Sequence, residues 1–331
     1  MAPTGRITIH DVAREANVSI ATVSRVLNGG GTVNKAMVDQ VEKAAARLGY
    51  RPNAAAQGLA SGAFRTIGVV VSDLGNPYFN DILTAAMAAA ATDGYRMVVC
   101  DSRGEPAEEL SICRQQLPNV DGIILMSPRM PIADVRELAA EAKPVVLINR
   151  FEEGLDLPTV LADNYSATLE LCKHLASLGH RKVVYLAGSP DAWQNRERWR
   201  GIQAASQVGI EAQLVQAGAT ISAGYDATDA ALDHEPTAIL TFNDLCAFGV
   251  VTRLRELGLG VPEDISVTGF DDIEIAGHVR PPLTTAVSPK SQLGRRAWQL
   301  MRAALRDKRL PTQEPIPSQV VIRQSTGAAP A

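Results

Sequence analysis

Five stretches of this chain gather carboxylates, amides, guanidinium groups and aromatic rings just beyond apolar runs. Asn76, Tyr78 and Phe79 follow the run 66–72, and Asn149 and Arg150 follow 144–148. Trp193 and Arg196 lie beyond 182–186, Asn243 beyond 238–241, and Asp271 beyond 265–269. The mixture suits a hydroxyl-rich ligand. Carboxylates and amides form paired hydrogen bonds with neighbouring hydroxyls, arginine donates to oxygen, and rings cover C–H faces. Each residue alone has a plainer reading: Asn76 and Asn243 as helix caps, Arg196 as a surface ion pair, Tyr78 or Phe79 as core. Five such loops together favour a binding site.

Catalysis fits poorly. His10, His174, His180, His234 and His278 show no metal-ligand spacing. No GxGxxG follows the first apolar run of the body, and there is no Walker A string or GxSxG elbow. Asp271 and Asp272 are neighbours on a loop and seldom converge on one bond. The expectation is a non-enzyme with no cofactor, no metal and no catalytic residue.

A second group of residues sits near the N-terminus. From Ser19 runs a short amphipathic segment in which Val23, Val26 and Leu27 share one face and Ile20, Ala21, Ser24 and Arg25 the other. The flanking elements can position it. Thr8 caps a first helix, with Asp11 in its first turn and Ile9, Val12, Ala13 and Ala16 on one face. Asn17 can adopt a left-handed conformation and end it, and Ser19 caps the second. Gly29, Gly30 and Gly31 break the chain, Asn34 caps a third helix carrying Val38, Val41, Ala45 and Leu48 inside, and Gly49 stops it. Two short helices and a third across them make a helix-turn-helix plan.

Beyond residue 64 apolar runs alternate with helical stretches, as at 166–178 and 246–257. Runs at 66–72, 96–100, 123–126, 144–148, 182–186, 213–216, 238–241 and 265–269 predict two parallel sheets with right-handed crossovers. Ligands in such sheets lie beyond the carboxyl ends of the strands, where the five polar loops fall.

Composition agrees. At 331 residues, 46% apolar and 21% charged, the chain suits two or three globular domains. Residues 1–63 carry seven Lys/Arg against four acids, a net +3, leaving −7 for the rest of a chain whose total is −4. A basic front module hints at nucleic acid. Cys100, Cys113, Cys172 and Cys246 are dispersed and suit a reducing compartment. The opening residues lack a leader's apolar core, and no run is long enough to span a membrane. The expected location is the cytoplasm, associated with the nucleoid.

The strings Thr8-Ile-His-Asp-Val-Ala-Arg-Glu-Ala-Asn-Val-Ser19 and Thr22-Val-Ser-Arg-Val-Leu-Asn28, continued by Leu48-Gly-Tyr-Arg-Pro-Asn53 and Gln57-Gly-Leu-Ala60, resemble the DNA-binding head of the lactose-repressor (LacI/GalR) family. Asn17 stands where that family usually has glycine. The resemblance places Ile20, Ala21 and Arg25 against base edges, with Arg25 on guanine. It places Thr22, Ser24 and Asn28 on phosphates, with the caps Thr8 and Ser19 in the same DNA-facing set. Residues 52–63 correspond to a hinge helix that orders on DNA beside a partner chain. There Leu59 enters the minor groove, and Asn53 and Ala56 contact it.

Residues 66–323 resemble the same family's effector domain, akin to periplasmic sugar-binding proteins. Asn76-Pro-Tyr-Phe79, Asp121-Gly-Ile-Ile, Gly179-His-Arg, Val261-Pro-Glu-Asp-Ile265 and Pro281-Pro-Leu-Thr-Thr285 carry the match. It implies two lobes, about 64–163 with 289–320 and 164–288 with 321–326, behind a head at 1–51. Arg196, Asn243 and Asp271 fall where relatives hold ligand hydroxyls. Asn76, Tyr78, Phe79, Arg150 and Arg196 look most like the ribose-binding branch, which points to a pentose. Asn149 stands where that branch has aspartate, Ser288 about where it has glutamine, and Ala219 about where some relatives have an aromatic wall.

The resulting expectation is an α/β protein: an all-α helix-turn-helix head on a two-lobed body resembling periplasmic binding proteins. Its function would be a homodimeric repressor on a pseudo-palindromic operator, switched by a small sugar-like effector. An effector-independent regulator and a transport-type sugar-binding protein are the alternatives.

Overall fold

The computed structural model describes residues 7–27, 34–50, 63–308, 310 and 314–330. Two compact units emerge, Met1–Phe64 and Arg65–Ala331. In the first, α1 (Ile9–Glu15), α2 (Ile20–Leu27) and α3 (Lys35–Leu48) enclose the buried side chains of Val12, Ala16, Val23, Val41 and Ala44. The helix ends follow local chemistry. The Asp11 carboxylate accepts from the Thr8 backbone N–H at 2.9 Å and from its hydroxyl at 2.7 Å. These bonds hold the Asp11 carboxyl below its usual pKa. Asn17 turns the chain at φ 45°. Ser19 Oγ accepts from Thr22 N at 3.1 Å, Asn34 Oδ1 from Ala36 N at 3.0 Å, and Gly49 ends α3 in the left-handed region. Gln40 adds a tie that periodicity does not reveal: its amide donates to the Ala16 carbonyl at 2.9 Å and pins α3 to the end of α1.

In the second unit the apolar runs become strands, the central ones buried and the edge runs 96–101 and 211–216 left partly exposed. In chain order the elements are β1 (Thr66–Val71), α4 (Tyr78–Thr92), β2 (Arg96–Asp101), α5 (Pro106–Gln116), β3 (Gly122–Met126), α6 (Ile132–Ala139), β4 (Val145–Ile148) and β5 (Thr159–Val160). There follow α7 (Asn164–Ser177), β6 (Lys182–Ala187), α8 (Trp193–Ala204), β7 (Glu211–Gln216), α9 (Ile221–Leu232), β8 (Ala238–Thr241) and α10 (Asp244–Glu256). Last come β9 (Ser266–Asp271), β10 (Thr284–Val287), α11 (Lys290–Ala304) and β11 (Gln319–Val321).

The first sheet has order β2-β1-β3-β4-β5 and is parallel throughout. The second has order β11-β10-β9-β8-β6-β7. Counted from β7, its parallel strands repeat the first sheet's order. Each lobe therefore has a switch point, between β1 and β3 in one and between β6 and β8 in the other. A crevice opens there because consecutive crossovers leave in opposite directions.

The structure corrects several expectations. The second sheet is not wholly parallel, since β11 pairs antiparallel with β10. With β5 and β10, β11 is too short to show as an apolar run. The last change of lobe also comes earlier than residue 320: Ile316 still bridges to Ala162 in the first lobe, while Gln319 already pairs in the second sheet. The second lobe's tail continues past 326, with Ala329 N donating to the Leu178 carbonyl at 2.9 Å. Finally, α4 begins at Tyr78, so Tyr78 and Phe79 are first-turn helix residues whose orientation the helix fixes. Among the described residues no helix is long and apolar enough to cross a membrane.

Candidate functional site

The two switch points face each other across a cleft. From the first lobe, Ser127 leaves β3 at φ 53°, and Asn76, Tyr78 and Phe79 come from the start of α4. From the second lobe come Gln194 and Arg198 of α8, Phe242 after β8 and Asp271 at the end of β9. The free space is about 30 Å³. That admits a water or so and no sugar ring, so a ring enters only if the lobes part.

Arg198 is the most constrained group in the cleft. Its guanidinium lies 3.6 Å from the Phe270 ring centroid and 4.7 Å from that of Phe242. Nε donates to Asn164 Oδ1 at 3.0 Å, and another N–H donates to the Phe242 carbonyl. The remaining nitrogen sits 3.6 Å from Asp271 Oδ1. Two rings and three acceptors thus fix a buried cation beside a buried carboxylate. Asp271 itself is held at φ 109°, a strained conformation for a non-glycine residue. Lys290 Nζ donates to its carbonyl and to that of Asp272, at 2.9 and 2.6 Å. Burial pushes the Asp271 carboxyl up to about 6, against the opposing pull of Arg198 and Lys290.

The expected residues divide into five groups. Asn76, Tyr78, Phe79 and Asp271 line the cleft. Asn149 and Ser288 meet instead at the Tyr78 hydroxyl: Asn149 Nδ2 donates to it at 2.6 Å and Ser288 Oγ at 3.4 Å. Asn149 Oδ1 also accepts from Ala162 N at 3.1 Å, so this cluster braces the strands that cross between lobes. Burial raises the Tyr78 hydroxyl's pKa and keeps it neutral. Asn243 uses both ends of its amide inside the second lobe, capping α10 through Cys246 N and donating to the Ala219 carbonyl, each at 2.9 Å. Trp193 is buried beside the cleft, while its neighbours Ala192 and Gln194 form the wall.

Arg150 and Arg196 form the last group and are also relocated. Arg150 donates to the Met130 carbonyl and pairs with Glu152 at 3.0 Å. Arg196, with 47% of its side chain exposed, reaches the same Glu152 at 3.5 Å. Both line an outer cavity, and Arg198 occupies the inner place expected of Arg196. The cause is helical phase. Gln194, Arg198 and Gly201 share the inward face of α8, while Arg196 projects outward. Gly201 was the available signal: a side chain there would stand 2.6 Å from the Tyr165 carbonyl oxygen, so glycine marks the packed face. Gln194 and Ser127 left no comparable mark.

In the first unit, α2 buries Val23 and turns Ile20, 41% exposed, outward with Ala21 and Arg25. Arg25 is exposed, and its Nε donates to the Ala21 carbonyl at 3.3 Å. Ser19 and Thr22 are hydrogen-bonded to each other at the helix start, at 2.9 Å. Asn28 and the hinge positions Asn53, Ala56 and Leu59 lie outside the described residues.

Residues 8–53 match the family described as bacterial regulatory proteins, lacI family, and residues 172–326 match a periplasmic binding protein-like domain. Over its whole length the chain is similar to catabolite control protein A of Priestia megaterium, with 33% identity covering 97% of this chain and 99% of that one. It is equally similar to the HTH-type transcriptional repressor CytR of Escherichia coli strain K12, with 33% identity covering 98% and 97%. Among solved structures, the lac repressor dimer bound to operator and the anti-inducer ONPF superposes with a TM-score of 0.85. The identity is 28%, covering 98% of this chain and all of that one.

Proposed function

The chain belongs to the LacI family of bacterial regulatory proteins, and on that premise we propose a transcriptional repressor whose operator affinity is switched by a small sugar-like effector between the two lobes. The observation that carries the switch is the size of the cleft. Strand ends of both sheets line it, yet it holds about 30 Å³ of free space. A ring-sized ligand therefore has different affinities for the parted and closed lobes. That difference is the free energy available to bias a DNA-binding equilibrium, typically about 1–3 kcal/mol, and it acts reciprocally.

In this reading Asn76, Asp271, Arg198 and Gln194 hydrogen-bond the effector's hydroxyls, and Phe79 and Phe242 cover its apolar face. Asn149 and Ser288 act through Tyr78 on the strands between lobes. On the DNA side Ile20, Ala21 and Arg25 meet base edges, while Thr8, Ser19, Thr22, Ser24 and Asn28 fix register on phosphates. The hinge at 52–63, with Asn53, Ala56 and Leu59 in the minor groove, belongs to the same proposal. So do the head at 1–51, a homodimer on a pseudo-palindromic operator, a cytoplasmic location and the absence of a catalytic step. The lac repressor structure, a dimer on its operator, supports this arrangement.

The test is operator selection from a random duplex pool, followed by a melting screen of the full chain with pentoses, hexoses and nucleosides. The expected result is a two-half-site operator and at least one compound that both raises the melting temperature and changes operator affinity. Selection without a two-fold motif would overturn the dimeric repressor. Silence of the whole panel would overturn the sugar-like effector.

A further inference from the structure

Beside the cleft opens a second cavity of about 370 Å³, lined by Arg129, Arg150, Arg196, Glu152, Asp191 and the first residues of α5 and α6. Arg129 lines both chambers. Three guanidinium groups here face two carboxylates. One carboxylate is shared, because a single oxygen of Glu152 lies 3.0 Å from Arg150 and 3.5 Å from Arg196. The other, Asp191, is exposed at the rim, where water screens it.

Arg129 has the least satisfied side chain of the three. Its Nε is buried without a hydrogen-bond partner, a costly state for a charged donor. The nearby Glu109 carboxylate attracts Arg129 and Arg150 through space, yet gives Arg129 Nε no hydrogen bond. That carboxylate instead accepts from the backbone N–H groups of Arg129 and Met130, at 2.9 and 2.7 Å. Burial raises its pKa, against the opposing pull of these two bonds and of the Arg129 and Arg150 charges. Two helix N-termini, those of α5 and α6, add positive potential to the same chamber.

We propose that this outer chamber binds an anionic oxygen group of the effector, a phosphate ester or a carboxylate, with Arg129 spanning the ring in the cleft and the anion outside it. An anion's lone pairs match the fork of donors on Arg129 and Arg196, whereas a neutral hydroxyl accepts from them without a charge to assist the bond. The assignment rests on the effector reading above and adds the charge of the ligand to it.

The experiment uses the full chain and the double variant Arg129→Gln, Arg196→Gln, with the variant's own melting curve as fold control. Inorganic phosphate serves as the probe that is independent of the sugar, followed by phosphorus-31 line broadening. Matched pairs are then titrated calorimetrically: ribose against ribose 5-phosphate, and glucose against gluconate. Expected are phosphate broadening that the double variant loses and an anionic member that binds about tenfold tighter than its neutral parent. That preference should disappear in the variant. Broadening that survives the double variant, or equal binding of neutral and anionic members, would overturn the anion chamber while leaving a sugar-like effector standing. Arginine-dependent phosphate binding with every sugar silent would uphold the chamber and sink the sugar-like reading instead.

Discussion

Gln194 donates from its side-chain amide to the Ser127 hydroxyl across the cleft, at 2.6 Å. One residue opens α8 in the second lobe and the other follows β3 in the first, so this bond joins the lobes directly. Both side chains are buried, and the amide oxygen of Gln194 has no partner within the protein. The link from Arg196 to Glu152 also crosses the cleft, but its arginine is half exposed and contributes little. Gln194→Ala should weaken closure by about 1 kcal/mol, a roughly fivefold shift toward parted lobes. Spin labels on the two lobes of the free protein can report it. Broadened distances are expected in Gln194→Ala and in Ser127→Ala, with no further broadening in the double variant. Independent, additive broadening would mean that the two side chains do not act as a pair.

Gly201→Ala tests the platform that carries Arg198. A methyl group at 201 would meet the Tyr165 carbonyl oxygen at 2.6 Å and the Thr168 side chain at 3.2 Å. The α7–α8 contact must then open, at a cost of about 1–3 kcal/mol. Arg198, one turn earlier on the same face, would shift from between Phe242 and Phe270. A melting temperature lower by several degrees and a weakened effector response should appear together. Arg196→Ala, on the outward face, should leave the melting temperature within about a degree. Equal effects of the two substitutions would contradict the assigned helical phase.

These two positions also show how far the sequence was legible. Helix caps and buried parallel strands are local: Thr8, Asn17, Asn34 and Gly49 declare themselves by residue type, and the runs 66–71 and 238–241 by composition. The location of the cleft follows from strand order, because polar residues at strand ends can only meet at a switch point. Side-chain direction is a different matter. Arg196 and Arg198 are two residues apart and chemically identical, so only the phase of α8, set by packing at Gly201, separates rim from interior. Asn243 caps α10, as its residue type allows, but nothing local reveals that the Ala219 carbonyl accepts from its amide. Ser127 and Gln194 are 67 residues apart in a chain where neither type is unusual, and only the docking of two lobes makes them a pair.

The Asp271 carboxyl sets a pH dependence whose sign can be stated. Burial raises it from 3.8 to about 6, so between those values the folded protein binds a proton that the unfolded chain does not. Its contribution to stability is therefore greatest below pH 3.8 and is lost as the pH rises to 6, roughly 3 kcal/mol in all. Asp271→Asn should remove the Asp271 share of that slope and leave the share of Asp244, a buried carboxyl beside it that desolvation and the Asp271 charge also raise. The difference in stability between wild type and variant, followed by urea unfolding from pH 4 to 7, should move steadily in the variant's favour. Effector affinity should run the opposite way in the wild type. The ionised carboxylate accepts from ligand hydroxyls, so binding should strengthen through pH 6 and then level off, with a flat profile in Asp271→Asn.

Arg25 and Val23 lie two residues apart on α2 and face opposite ways, which lets base reading be separated from folding. Val23 is fully buried in a core of few side chains, so Val23→Ala should cost roughly 2 kcal/mol of head stability. Every operator variant should then be bound more weakly, in proportion, because fewer heads are folded. Arg25 is exposed and carries no buried contact. Arg25→Ala should leave the helix intact, cost about 1–3 kcal/mol on the best operator, and relax preference at one base pair in each half-site. Enrichment from a random duplex pool separates the outcomes: a lower yield with the same motif for Val23→Ala, and a changed motif for Arg25→Ala. An unaltered motif in the second case would make Arg25 a phosphate contact, since a cation that only neutralises backbone charge weakens all sequences alike.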